Sequence, residues 1–479
     1  MSVLYIANKL TITNAPEELF QWCRKNLEFP NPEYAKAEQA GRWTGNIEPI
    51  IVLWEKRGND CILPYGCLES IRWNFAFDNI ITKKRAEYSI DYKSHIQLYD
   101  YQQLALDSVT CGVTKSGVIV MPCGSGKTQT ALAIVASLGK RALWITHTHE
   151  LLQQSKDRAL SCFGIESSKI GTISNGKINV GEYLTFATVQ TLANIDLSPY
   201  EDYWDVVIVD ECHKAVGTPT KLMMFYKAVS QLNAPCKIGL TATPKRNDGL
   251  ERCMYALLGP QICNIPDKAV EHNTVPIYVY QDKSKFLDNK LKSEYDFVSY
   301  LNPDGTINYN RLLDFLCECK ERNEHIAKWV NDINSTGCTC LVLSDRVEHL
   351  KTLRQLVGLG YTMQIFSQSG SIKAREARKD CIEQLRSKQI RCLFATYQLA
   401  KEGLDIPSLD CVVFATPKKD AITVIQSCGR VGRKSPGKQS GLVLDIVDED
   451  VSIFEGYARK RKNFYKTKNY KILNSLKIY

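Results

Sequence analysis

Three short clusters in this 479-residue chain carry residue types that act on phosphate. The first is PCGSGKT, 122–128. Gly124 and Gly126 let the backbone curl tightly, so that N–H groups around Ser125 can point at phosphate oxygens. Lys127 would reach the outer phosphates and the Thr128 hydroxyl would sit on Mg²⁺. The helix-like stretch that follows, KTQTALAIVASLG (127–139), adds its positive N-terminal end. The full phosphate-loop pattern has glycine at position 121, where this chain has Met121. The second cluster is Asp210-Glu211, closing the apolar run DVVIVD (205–210). A phosphate loop needs an acid on a neighbouring buried strand to hold Mg²⁺ through its water shell, and Asp210 is so placed. Glu211 can orient and deprotonate an attacking water. The third is QSCGRVGR, 426–433, whose Arg430 and Arg433 are three apart and project from similar directions on a helical turn. Both could reach a phosphate held by the first cluster, a contact worth about 10³–10⁵ in rate. A solvated basic turn, or an RNA-phosphate clamp unrelated to ATP, are the other readings of that pair.

Cys212 and His213 follow the acids directly, but adjacent residues point in different directions and no other His or Cys lies at ligand spacing nearby. A metal centre is not expected there. His213 is expected to bridge the nucleotide site and the TAT segment at 241–243, with Cys212 as filler. The 18 cysteines are scattered, without a CxxC pair, which fits reduced buried thiols rather than a zinc ribbon or a secreted disulfide framework. The start of the chain has no basic stretch followed by a long apolar run, and no stretch reaches the length of a membrane span. The expectation is a soluble protein in the cytoplasm, or in the host-cell cytoplasm if phage-encoded, with no membrane partner. Net charge is +9, and 455–479 holds eight basic residues against one acid, so an anionic partner is suggested locally.

Elements must position these clusters. From about residue 95, runs such as GVIVMP (117–122), ALWITH (142–147), YLTFAT (183–188), DVVIVD and KIGLTAT (237–243) alternate with helical patterns. Nearly continuous apolar runs of this kind are strands buried on both faces of a parallel sheet. A second series follows: CLVLSD (340–345), YTMQIFS (361–367), RCLFAT (391–396), DCVVFAT (410–416) and GLVLDIV (441–447). Two successive βα series predict two α/β lobes. The domain reading is an N-terminal α+β module at 1–92, lobe one at 93–280, a charged linker at 281–322, lobe two at 323–450 and a basic tail at 451–479. Within the module, PEELFQWCRKNLEF reads as a helix and EPIIVLWEKRGNDCILPYGCLE as a hairpin turning at RGND. Arg42 and Trp43 offer a contact for DNA at a fork, although a buried tryptophan in a small core is the expectation. The tail interleaves Tyr457, Phe464, Tyr465 and Tyr470 with lysines and arginines. It reads as a backbone or stacking contact, or equally as a helix packed on lobe two.

In order, the chain shows LYDYQ (98–102), PCGSGKT, THTHEL (146–151), ATVQTL (187–192), DECH (210–213), TAT, VLSDR (342–346), ATYQLAKEGLDIP (395–407) and QSCGRVGR. This ordered set resembles the helicase superfamily 2 motor over roughly 95–450. GLTATPKRNDG and EGLDIP look most like its XPB-like and UvsW-like DNA translocase branch, of phage or mobile-element type. The resemblance implies two tandem RecA-like parallel-sheet lobes that use ATP and Mg²⁺. It implies that Gln102 reads the adenine edge, that Gly403 and Asp405 approach the ribose, and that Gln426 lies in the γ-phosphate region, with Arg430 and Arg433 as fingers. It further implies that Thr241 and Thr243 link hydrolysis to lobe movement, and that Thr188, Gln190 and Thr396 lie in segments contacting the nucleic-acid backbone. Ser427 departs from the pattern, since many RNA-helicase relatives have arginine there.

The function so implied is an ATP-dependent DNA helicase or translocase, moving 3′→5′ and remodelling forked or branched DNA. The lobes would grip phosphate and sugar rather than base edges. A shared triphosphate would draw them together, and its hydrolysis would let them part. An RNA helicase and the motor of a restriction system are alternatives of the same class, and a nucleic-acid-binding ATP switch that does not unwind is one of another class. A monomer is the expected state.

Overall fold

The computed structural model describes the chain except residues 1, 87, 123, 215–217, 245–248, 287–299, 303–304, 306, 359–361, 366–371, 402–405 and 477–479. It divides into two compact units, Met1–Ala269 and Val270–Tyr479.

The first unit begins with an α+β module. Its five-stranded sheet runs in the order Glu55–Arg57, Asp60–Pro64, Lys9–Thr13, Val3–Ile6, Asn79–Thr82. The hairpin expected at 48–69 is present: Arg57 pairs with Asp60, and Gly58 turns the chain at φ +61°. Leu4, Ile6, Leu10 and Ile12 alternate inward, as a strand with one buried face requires. The expected helix forms at Glu17–Leu27 and covers that face with Leu19, Phe20, Cys23 and Leu27, which recur at helical spacing. Trp43 corrects the expectation of a buried side chain. It is 76% exposed, because this core closes without it, on Leu19, Phe20 and their neighbours. Trp73 is 90% exposed.

The rest of this unit is a sheet of eight strands in the order Lys177–Asn179, Ile170–Ser174, Leu184–Thr188, Ala142–Thr146, Val206–Val209, Cys236–Thr241, Gly117–Val120, Gln261–Asn264. Every pairing is parallel except that of Lys177–Asn179. Buried valines, isoleucines and leucines fill the central strands, as their unbroken apolar runs predict. The module packs directly on this lobe. Gly66 lies so close that an added Cβ would stand 2.5 Å from the Gly259 nitrogen and 2.6 Å from the Ala256 oxygen. Arg85, on the connecting segment, donates to the carbonyls of Asp202 and Trp204 at 2.8 Å and pairs with Asp205 at 3.2 Å.

The second unit is built on a seven-stranded, wholly parallel sheet. The order is Thr362–Ile365, Cys392–Thr396, Cys340–Ser344, Cys411–Phe414, Gly441–Asp448, Ile277–Ser284, Lys471–Leu473. Two of these strands differ from the pattern reading. Ile277–Ser284 pairs along Gly441–Asp448, although the sequence placed 277–280 in lobe one and the rest in a linker. Its polar residues hide it: Asp282 accepts from Trp329 Nε1 at 3.1 Å and pairs with His325 at 2.6 Å, and Lys283 pairs with Glu449 at 2.5 Å. The segment read as a tail is the helix Ser452–Thr467 followed by the edge strand Lys471–Leu473. Phe454, Ala458, Arg461 and Tyr465 are buried, and Arg461 pairs with Asp445 at 2.7 Å. Among the described residues, no helix is long and apolar enough to cross a membrane.

Candidate nucleotide and nucleic-acid site

Three strand ends of the first lobe open at one edge of the sheet. Cys236–Thr241 lies between Gly117–Val120, which runs into the glycine loop, and Val206–Val209, which runs into Asp210. Thr241 is in register with Val120, and Gly239 with Val209. The carboxyl edge of a parallel sheet is where ligands bind in such folds.

In the loop, Gly124 and Gly126 take left-handed φ values of +81° and +77°, which a glycine adopts without the clash a Cβ would bring. Gly126 is the N-cap of the helix Lys127–Leu138, so the helix N-terminus faces the loop. Thr128 is half-buried in its first turn. Lys127 Nζ is 3.5 Å from the Pro122 carbonyl and 3.9 Å from Glu211 Oε1. Ser125 Oγ donates to the Pro122 carbonyl at 2.7 Å. Met121, at the position where glycine was expected, is buried and donates its N–H to the Thr241 carbonyl at 2.9 Å. The sheet thus continues through it, and the curl begins later.

Gln102 is buried against this loop. Its Nε2 donates to the Ser125 carbonyl at 2.9 Å and its Oε1 accepts from the Tyr99 N–H at 3.1 Å. The amide assigned to the adenine edge thus holds the loop here. Tyr101, which sequence reasoning passed over, donates to the same Ser125 oxygen at 3.1 Å. Its only signal was its place beside Gln102.

Asp210 is buried, and its N–H donates to the Ile145 carbonyl at 3.0 Å. Burial, then the adjacent Glu211 charge, pushes its pKa up to about 6. Burial also works upward on Glu211, but Lys127, His213 and Lys214 outweigh it and hold that carboxyl below its ordinary range. His213 Nδ1 lies 2.9 Å from Thr241 Oγ1 and 3.3 Å from Glu211 Oε2, and the Thr243 N–H donates to Thr241 Oγ1 at 3.1 Å. The geometry therefore links Glu211, His213, Thr241 and Thr243 in sequence. Cys212 is buried with its Sγ 3.2 Å from Met254 Sδ. Among the described residues, no group of three His, Cys, Asp or Glu side chains could hold a metal ion by itself.

The residues present fit a nucleoside triphosphate with a hard divalent cation. The glycine loop, the helix N-terminus and Lys127 suit phosphate oxygens. Thr128 and Asp210 offer the oxygen donors that Mg²⁺ prefers alongside phosphate.

The expected nucleic-acid residues divide. Thr188 is buried at the end of its strand with its hydroxyl 3.0 Å from that of Thr191, whereas Gln190 is exposed and donates to the His147 carbonyl at 2.9 Å. In the second unit, Thr396 ends Cys392–Thr396 and its hydroxyl accepts from the Leu399 N–H at 3.3 Å. Gln426 and Arg430 are one turn apart on the helix Ala421–Val431. Gln426 Oε1 is buried without a hydrogen-bond partner among the described residues, and Arg430 is buried. Arg433 lies just past that helix in a bridge with Thr274. Ser427 is buried and donates to the Thr423 carbonyl at 2.7 Å, a contact inside its own helix. Gly403 and Asp405 lie outside the described residues.

Residues 95–246 match the family described as type III restriction enzyme, res subunit, and 321–435 match the helicase conserved C-terminal domain. The chain is 27% identical over 382 residues to a protein of Acanthamoeba polyphaga mimivirus named as an ATP-dependent RNA helicase, covering 78% of this chain and 69% of that one. It is 24% identical over 392 residues to the DNA 3′-5′ translocase XPB2 of Sulfurisphaera tokodaii, covering 77% and 86%. Among solved structures, S. cerevisiae Dbp5 bound to RNA and ADP BeF3 matches with a TM-score of 0.55 at 13% identity, covering 79% and 90%. That last likeness is one of fold, two RecA-like lobes.

Proposed function

We propose, for a chain that belongs to helicase superfamily 2 and is a nucleic-acid-dependent ATPase, that DNA is its track, that it moves 3′→5′, and that it remodels forked or branched structures. The observation that carries DNA over RNA is the similarity to a named DNA 3′-5′ translocase across 86% of that relative. The similarity to a viral protein named as an RNA helicase favours RNA as the second reading.

In this reading Lys127 and the N–H groups of the glycine loop bind the triphosphate, while Thr128 and Asp210 hold Mg²⁺. The bound cation supplies neutralising charge at the phosphate oxygens. Glu211, kept ionised by Lys127, orients the attacking water and takes its proton at Oε1 or Oε2. Thr241, held between His213 and Thr243, carries the change at Glu211 into the neighbouring strand end. Gly403 and Asp405 serve the ribose, and Gln426, Arg430 and Arg433 answer the phosphate charge from the second unit. Gln190 and Thr396 lie nearest to the track.

The test compares ATPase stimulation by single-stranded DNA, duplex, forked DNA, a four-way junction and RNA. Strongest stimulation by forked or four-way DNA is expected. Stimulation by RNA alone would transfer the assignment to the second reading.

A further inference from the structure

The strand Ala142–Thr146 lies between Leu184–Thr188 on one side and Val206–Val209 on the other. Thr146 is in register with Thr188 and Ile145 with Val209, and the Asp210 N–H donates to the Ile145 carbonyl at 3.0 Å. The next residue, His147, therefore stands at the carboxyl edge between the turn at 188–191 and Glu211. Its backbone carbonyl accepts from Gln190 Nε2 at 2.9 Å. Its ring Nε2 is buried and has no hydrogen-bond partner among the described residues. Burial, then the charges of Lys214 and His213, pushes its pKa down to about 3, so the ring is neutral at pH 7; Glu211 is close enough to act on it in the opposite sense. Glu211 Oε2 is likewise buried without a hydrogen bond among the described residues, with His213 Nδ1 3.3 Å away. Two buried polar atoms thus lie in one pocket without hydrogen bonds, and one belongs to a residue whose backbone is held from the nucleic-acid turn.

We propose that His147 is the positioning residue that carries occupation of the 188–190 turn to Glu211. Movement of Gln190 draws the His147 carbonyl, and the ring turns so that Nε2–H donates to Glu211 Oε2. The carboxylate is then fixed for the attacking water. A neutral imidazole suits this task because it orients the base without discharging it. The inference rests on the reading of 188–190 as a nucleic-acid segment and of Glu211 as the base.

His147→Leu removes the ring nitrogens at similar volume, and His147→Gln returns an N–H donor at comparable reach. The ratio of saturated, nucleic-acid-stimulated kcat to basal kcat is measured for both, with nucleic-acid affinity, KM for ATP and Tm. The Leu variant should lose about tenfold of the ratio, as expected for one positioning hydrogen bond to a charged group, with nucleic-acid affinity unchanged. The Gln variant should recover most of it. A double-mutant cycle with Gln190→Ala should show the two losses to be non-additive. An unchanged ratio in the Leu variant, a loss matched by equal loss of nucleic-acid affinity, or additive losses would overturn the proposal. A wild-type chain whose rate no nucleic acid alters would instead bring down the functional reading itself.

Discussion

Glu211 holds its backbone at φ +50°, a left-handed conformation that costs a non-glycine residue about 1–2 kcal/mol. The turn places its carboxylate between Lys127 at 3.9 Å and His213 at 3.3 Å, so the strain is spent on aiming an acid at the phosphate loop. Glu211→Gln preserves shape and strain but cannot accept a proton. Stimulated ATP hydrolysis should fall by about 10²–10⁴-fold, the usual contribution of general base catalysis, while nucleotide binding survives. Lys127→Ala should abolish turnover as well, but with weakened nucleotide binding, measured by titration with a fluorescent ATP analogue. Undiminished turnover in either variant removes that residue from the site. Thr241 offers a sharper separation. Its hydroxyl is met by His213 Nδ1 and by the Thr243 N–H, and it is fully buried. Thr241→Val keeps the volume and leaves both partners without it, at a cost of about 1–3 kcal/mol. Strand displacement should then fall further than ATP hydrolysis, and equal losses in the two assays would make Thr241 a structural residue only.

At the scale of elements, Cys236–Thr241 carries a second residue of consequence at its other end. Lys237 is fully buried, and its Nζ has no hydrogen-bond partner among the described residues; it sits 4.3 Å from the centre of the Tyr65 ring of the N-terminal module. Burial, then Arg85, pushes its pKa down to about 7, well under the ordinary lysine value. Between about pH 7 and pH 10 the unfolded chain therefore binds a proton that the folded chain lacks. Stability should rise with pH across that window, by about 1.4 kcal/mol per unit at most. Lys237→Met should flatten that slope and raise Tm at pH 7, and an unaltered Tm-against-pH curve would show the amine to be charged and solvated. Nothing in the sequence announced this lysine, because KIGLTAT reads as a buried strand whatever its first residue does. The same blindness explains the other misses. Runs such as DVVIVD and GLVLDIV were legible because burial on both faces demands unbroken apolar residues. Ile277–Ser284 was not, because Asp282 and Lys283 find partners through tertiary contacts that periodicity cannot show. Gly124, Lys127, Asp210 and Glu211 were legible as phosphate chemistry from type and spacing. The bond of Gln102 to Ser125 and the link from Gln190 to His147 depend on which strands become neighbours, and so appear only in the fold.

For the molecule as a whole, the net charge of +9 raises the question of which cations are available to a polyanion and which are consumed by the fold. The helix Ser452–Thr467 contains both kinds. Arg461 is 1% exposed and locked to Asp445, whose carboxylate also accepts from Tyr465 and from Gln281 Nε2. Lys460, Lys462 and Lys466 are exposed on the same helix. Deleting the segment would confuse the two roles, because it would remove Phe454, Ala458 and Tyr465 from the second core along with the charge. Point changes separate them. Arg461→Ala leaves a buried carboxylate unpaired and should cost about 3–5 kcal/mol, seen as a lower Tm. Replacing Lys460, Lys462 and Lys466 together with Gln should leave Tm in place and weaken DNA binding most at low salt. If all three meet phosphates, the slope of log affinity against log salt should become shallower by about 0.7–0.9 per lysine. Because counterion release is indifferent to base sequence, the loss should be the same on unrelated DNA sequences. If that slope stays where it was, the helix serves the fold alone and the chain's grip on its track comes from the lobes.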